Sequence, residues 1–199
     1  MGLYLTAFLC GAAIMLLEML GFRLLPPYFG YSIAVWGALL GVVMVALAAG
    51  YYAGGSLADR HPRLRTLYLL ILAAAGYALL LLFAYPAILG YSARFDLVPG
   101  ALFASLLLFG VPMGALSTVS PFVIRLLARE QGVGRVAGSV YAVSTLGSIA
   151  GTFLTAFYLV PLIGTRATLL VGVISLALVG GLGILASAVP RKAWRASAS

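Results

Sequence analysis

The sequence is short of charge. Only 8% of its 199 residues are Asp, Glu, Lys or Arg, against 64% hydrophobic, whereas a soluble domain carries about 25% charged residues. So little polar surface cannot clothe a water-soluble globular fold, and an integral membrane protein is implied. Cysteine is nearly missing too: the single Cys10 excludes a disulfide framework and a cysteine metal site. The one histidine, His61, stands in a basic stretch, and the four acidic residues offer no paired carboxylates, no Ser/His/Asp set and no metal-ligand spacing. The expectation is a protein that is not an enzyme and takes no cofactor and no metal.

What the chain has is long apolar runs. A helical crossing takes roughly 20 mainly apolar residues, and six stretches qualify, near 3–25, 31–57, 66–89, 98–124, 136–160 and 165–188. A transmembrane β-barrel would need short segments of alternating polarity, and runs such as "LLGVVMVALAAG" do not alternate. The expected fold is all-α, a single domain of six transmembrane helices over 1–190 with a basic cytoplasmic tail, 191–199. The first stretch lacks a basic leader and ends in Pro26-Pro27 instead of a small-residue cleavage site, so it reads as a retained span and not a signal peptide.

Basic residues orient the spans. Arg60, Arg63 and Arg65 fall between the second and third, Arg125, Arg129 and Arg135 between the fourth and fifth, and Arg191, Lys192 and Arg195 in the tail; the other side has only Arg23, Arg94 and Arg166. The positive-inside rule then puts both termini in the cytoplasm of a multi-pass cell (inner) membrane protein. The same bias accounts for the net charge of +8, with the lipid bilayer and no nucleic acid as the partner. Tyr28, Tyr31 and Trp36 near the outer boundary, and Trp194 in the tail, read as interfacial aromatics.

A glycine pattern recurs. Gly41, Gly50 and Gly54 return as Gly138, Gly147 and Gly151, at the same spacings and 97 residues on. Three spans per half is an odd number, so the halves would face opposite ways, as a 3+3 inverted repeat. Gly50/Gly54 and Gly147/Gly151 are also small-xxx-small pairs, which let helix backbones approach closely. Arg23-Leu24-Leu25 and Arg125-Leu126-Leu127 mark the water-facing ends of the first and fourth spans.

Glu18 is the odd residue. It lies roughly 22 Å along its helix from residue 3, in the outer half of the bilayer, where a carboxylate costs at least about 2.5 kcal/mol and faces a bundle interior or a wet cavity. Arg23 is five positions on, about 140° around the helix, so compensation has to come from elsewhere: Arg94 or Arg166, or a proton. Two readings stay open, an interhelical bond that fixes packing and a ligand or proton site. Ser117, Thr118 and Ser120, beside Pro112 and Pro121, and Tyr141, Ser144 and Thr145 are the hydroxyls available to line such a site with Glu18 and Arg23; the plainer alternative is kinked packing helices.

Residues 54–65, "GGSLADRHPRLR", resemble the cytoplasmic loop motif of the major facilitator superfamily at Gly55, Asp59, Arg60, Arg63 and Arg65, with Pro62 where that family usually has a second glycine. The resemblance implies that Asp59 pairs with neighbouring helix ends and holds the lobe in one conformation; a topogenic basic loop is the alternative. A longer resemblance covers most of the chain. "LLEMLGFRLLPPYFGYSIAV", "PMGALSTVSPFVIRLL" and "GSVYAVSTLGSIAGTFLTAFYLVPLIGTRATLL" are similar to the opening, fourth, and fifth to sixth helices of the membrane region of fused spermidine synthase-like proteins. That implies a major-facilitator-like half bundle. Those proteins carry a soluble aminopropyltransferase-like domain of Rossmann type after the membrane region. "GVGRVAGSV" here reads as a turn entering a helix, not a glycine loop after a strand, so the expectation is the membrane half alone. The function implied is transporter-like, moving or binding a polyamine or other small polar solute as a homodimer or with a partner. The alternative is a non-transporting anchor for a separately encoded aminopropyltransferase-like enzyme.

Overall fold

The computed structural model describes residues 2–128 and 132–188, so Arg129, Trp194 and the basic residues of the tail lie outside the described residues. Every regular element among them is helical. α1 spans Gly2–Leu24, α2 Pro26–Phe29, α3 Ile33–Arg60 and α4 Leu64–Ser92. α5 (Leu97–Ser105), a π-helical segment (Leu106–Gly110), α6 (Val111–Ser117) and α7 (Val119–Leu127) then continue as one rod, and α8 (Val133–Leu154), a second π segment (Thr155–Leu159) and α9 (Val160–Ala188) follow. Five runs, Gly2–Phe29, Ile33–Arg60, Leu64–Ser92, Leu97–Leu127 and Val133–Ser187, are long and apolar enough to cross a membrane, which is the make-up of a multi-pass membrane protein.

The last run holds 55 residues. Straight, it would extend on the order of 80 Å, more than twice the hydrocarbon core of a bilayer. It is not straight: Gly164, at φ 77 and ψ 170, is non-helical and breaks it, in the interval where the sequence puts the boundary between its last two spans. Glycine alone takes that φ without steric cost.

Local chemistry explains the other irregularities. Ser32 caps α3 by accepting a bond from the Val35 N–H at 3.3 Å. Each π segment ends two residues before a proline, Pro112 after Leu106–Gly110 and Pro161 after Thr155–Leu159. A proline ring removes one N–H and clashes with the carbonyl four residues back, and a widened turn relieves the clash. The Tyr77 hydroxyl crosses from α4 and donates to the Leu107 carbonyl inside the first π segment at 2.7 Å, satisfying an oxygen of that irregular turn.

Glycines set the packing. A Cβ on Gly50 would strike the Ser117 hydroxyl and the Gly114 carbonyl, and one on Gly54 would lie 2.6 Å from Thr118 Cα, so α3 lies tight on α6 and α7. Gly147 and Gly151 likewise seat α8 on the Phe8 and Ala12 backbone of α1. α4 meets α9 where Leu72 faces Gly180 and Tyr68 faces Gly183, and α1 meets α9 at Leu16 and Gly172. Gly41 and Gly138, the remaining members of the glycine pattern, have open space where a Cβ would be.

These registers also give direction. Residue numbers rise together across α1 and α8, and across α3 and the α6–α7 stretch, so both glycine-packed pairs are parallel. They run in opposite senses across α4 and α9. The Tyr77–Leu107 bond and the Ser92–Gly100 approach make α4 antiparallel to the rod that follows it. Leu17, Leu20, Ile71, Phe109, Met113 and Phe122 are buried at the centre. The 97–127 rod is the most enclosed of the five runs and α3 the least.

Candidate functional site

Glu18 is half-buried in α1 and has no hydrogen-bond or ion-pair partner among the described residues. Its neighbours locate it. Leu17 and Leu20 pack with Leu81, Leu108, Phe109 and Leu169 in the core. Gly21 lies against Leu39 of α3, and Phe22 meets Trp36 edge-on at 5.5 Å. Gly11, seven residues before Glu18 and so within about 20° of it around the helix, meets Ser144 and Ser148 of α8. Glu18 therefore stands on the side of α1 between α3 and α8.

No arginine compensates it among the described residues. Arg23 is exposed in the last turn of α1, Arg166 is exposed on α9, and Arg94 stacks over the Tyr91 ring at 5.9 Å. The single ion pair among the described residues is elsewhere, so the expected pairing of Glu18 with Arg94 or Arg166 is not found.

The hydroxyls expected around Glu18 divide into two groups. Ser144 sits level with Gly11, its carbonyl against that glycine, while Tyr141 and Thr145 are exposed on α8. Ser117 and Thr118 are buried beneath Gly50 and Gly54 and bond back to their own helix, Ser117 to the Gly114 carbonyl at 2.9 Å and Thr118 to the Ala115 carbonyl at 2.7 Å. Along α3, Gly50 and Gly54 are roughly 17–22 Å from Leu39, which is level with Gly21. Ser117 and Thr118 are thus packing hydroxyls at the far end of the bundle and are not brought to Glu18.

Asp59, expected to pair with a neighbouring helix end, has a partner that the sequence analysis did not name. Arg125 Nε donates to Asp59 Oδ1 at 2.6 Å, fastening the end of α3 to α7. Arg60, His61, Arg63 and Arg65 are exposed, and Gly55 has open space around it. The signal was present: Asp59 and Arg125 both end spans that the arginine bias places on one side.

Also missed are two hydroxyls, Ser105 and Thr155, each 0% exposed and without a hydrogen-bond partner among the described residues. Ser105 immediately precedes the first π segment and Thr155 opens the second. The available signal for Thr155 was the continuation of the Gly147–Gly151 ladder by four residues. A separate groove of about 440 Å³ runs between α3 and the rod of α5, π segment and α6, lined by Gly41, Val45, Ala49, Leu102, Leu106 and Val111. It is apolar, and Glu18 is not among its lining residues.

Fold and site define a helical, multi-pass membrane protein with a carboxyl group inside a span. Compared with protein families, with curated proteins and with solved structures, the chain matches none.

Proposed function

We propose that this chain is a small transporter-like protein of the cell (inner) membrane, with six crossings in a 3+3 inverted repeat. It is a major-facilitator-like half bundle, similar to the membrane domain of spermidine synthase-like fusions, acting on a polyamine or other small polar solute. The observation that carries the reading is an exchange in the packing. α3, second in the first half, packs through Gly50/Gly54 on the first rod of the second half, while α8, second in that half, packs through Gly147/Gly151 on α1. The third members, α4 and the 165–188 part of α9, pack antiparallel on each other. A two-fold axis in the membrane plane relating the halves produces this exchange. The break at Gly164 supports dividing the last run into two crossings, and the arginine bias supports cytoplasmic termini.

One such unit supplies one lobe, and alternating access needs two rocking around a site, so the working form is a homodimer or a complex with a membrane partner. Glu18 is the binding group, on the side of α1 between α3 and α8. Purified protein in lipid vesicles tests this by uptake and binding of spermidine, with oligomeric state measured by native mass spectrometry. The expected result is saturable uptake that Glu18→Gln loses while its melting temperature holds. A stable, monomeric protein that neither takes up nor binds amines overturns it.

The exposed arginines Arg60, Arg63, Arg65 and Arg135 favour a second reading, a non-transporting anchor whose basic face docks a separately encoded aminopropyltransferase-like enzyme. Salt-sensitive co-purification of such an enzyme, lost when these arginines are neutralised, is its test.

A further inference from the structure

We propose that Thr155 is the partner of Glu18 and that the two form a proton-binding couple. This deepens the reading of Glu18 as the working group of a solute site and rests on it. α1 and α8 are parallel, and the Ser148 hydroxyl donates to the Gly11 carbonyl at 3.2 Å. Seven residues are two turns to within about 20°. Seven residues beyond Gly11 is Glu18, and seven beyond Ser148 is Thr155, so the next pair along the same side of the contact is Glu18 with Thr155. The Gly147–Gly151–Thr155 ladder, four residues a step, independently puts Thr155 on the face of α8 that meets α1.

Thr155 is fully buried, and its hydroxyl has no hydrogen-bond partner among the described residues. Other threonines in helices of this chain bond back one turn, Thr152 to the Ser148 carbonyl at 2.9 Å and Thr168 to the Gly164 carbonyl at 2.8 Å. Thr155 opens the π segment ahead of Pro161 and makes no such bond. The two hydrogen-bonding groups, a buried hydroxyl and an intramembrane carboxyl, stand at one level of two packed helices; neither is hydrogen-bonded among the described residues, and the proposed couple forms when they bond to one another.

The charge around Glu18 selects a proton. α3 turns Leu39 and Trp36 toward this end of α1, and its titratable Tyr51, Tyr52, Asp59 and Arg60 lie in its other half. On α8, Arg135 and Tyr141 are at the far end, and Tyr158, past Thr155, is exposed. α9 meets α1 at Leu16, about 160° around α1 from Glu18, which keeps Arg166 off this side. Arg125 of α7 holds Asp59. No fixed cation faces the carboxyl among the described residues. A hard metal cation takes six or more oxygens, and one carboxyl with one hydroxyl falls well short. A hydroxyl both accepts and donates, so Thr155 accepts a bond from the protonated acid and donates one to the carboxylate. Binding forms one O–H bond on Glu18 with a proton from water and transfers no electrons.

Difference infrared spectroscopy of the purified full chain between acidic and alkaline buffers tests the couple. The chain has two glutamates, Glu18 and Glu130, so a carboxylic-acid carbonyl band lost in Glu18→Gln belongs to Glu18. The expected result is that this band is present, shifts to higher frequency in Thr155→Val and in Thr155→Ala, and stays put in Thr155→Ser; the alanine variant covers a valine variant that does not fold. A Glu18 band unmoved by both hydroxyl-lacking variants overturns the proposal. So does a carboxylate signature at every pH, or a band that responds to sodium and not to pH. Failure of spermidine uptake with the band behaving as expected sinks the transporter reading alone, and uptake with an unmoved band sinks the couple alone.

Discussion

Asp59 and Arg125 are joined at 2.6 Å, yet their side chains are 69% and 45% exposed. Exposed pairs contribute about 0–1 kcal/mol because water screens both charges. Asp59→Asn should therefore lower thermal stability in detergent by less than about 1 kcal/mol while freeing the ends of α3 and α7, seen as faster labelling of a cysteine placed at His61. The charge-swapped Asp59→Arg/Arg125→Asp double variant should restore slow labelling; no change in either variant would show the pair idle. Tyr77 is the reverse case, a single neutral bond to a carbonyl in an apolar surround. Tyr77→Phe leaves the Leu107 oxygen without its donor and should cost about 1–3 kcal/mol, more than the ion pair, in the same unfolding experiment. An equal or smaller loss would mean that another group reaches that oxygen.

Among the helices, the glycine pattern separates into contact and bystander positions, and substitution distinguishes them. Gly151→Val would drive a side chain into the Ala12 backbone and should destabilise by about 1–3 kcal/mol as overpacking does. Gly138→Val, with open space around it, should be near neutral in the same melting assay. Gly164→Ala should cost about 1–3 kcal/mol through its backbone angles alone, since φ 77 with ψ 170 is a conformation essentially confined to glycine, there being nothing for the methyl to touch. The apolar runs were legible because about twenty uncharged residues leave few alternatives, and the backbone break at Gly164 falls between the stretches 136–160 and 165–188. The partners of Gly50/Gly54 and Gly147/Gly151 could not, since close approach is a property of the residue but its target depends on the register of distant helices. The π segments were hidden behind Pro112 and Pro161, which were legible as kinks but not as widened turns. Glu18 announced itself by the scarcity of charge. Thr155 did not, because hydroxyls are common in membrane helices and only the level of α8 against α1 singles it out. Ser117 and Thr118 were drawn into the candidate site by their chemistry, and geometry returns them to the α3 contact.

At the scale of the whole molecule, orientation is the property to test. A cysteine at position 61, in a Cys10→Ala background, should resist a membrane-impermeant reagent in intact cells and react after permeabilisation; one at position 94 should do the opposite. Labelling of position 61 from outside would invert the topology. The two parallel glycine contacts also have a consequence in time. The backbone of Phe8 waits for Gly147, synthesised 139 residues later, and at about 5–20 residues per second that is roughly 7–28 s. Gly50 needs only Gly114 and Ser117, about half as far along the chain, so α3 clasps its partner while the matching strip of α1 still faces lipid. A nascent chain arrested after residue 128 should hold α3 fast and leave α1 open to any neighbour in the bilayer, which keeps the first helix in view of quality control well after α3 has been covered.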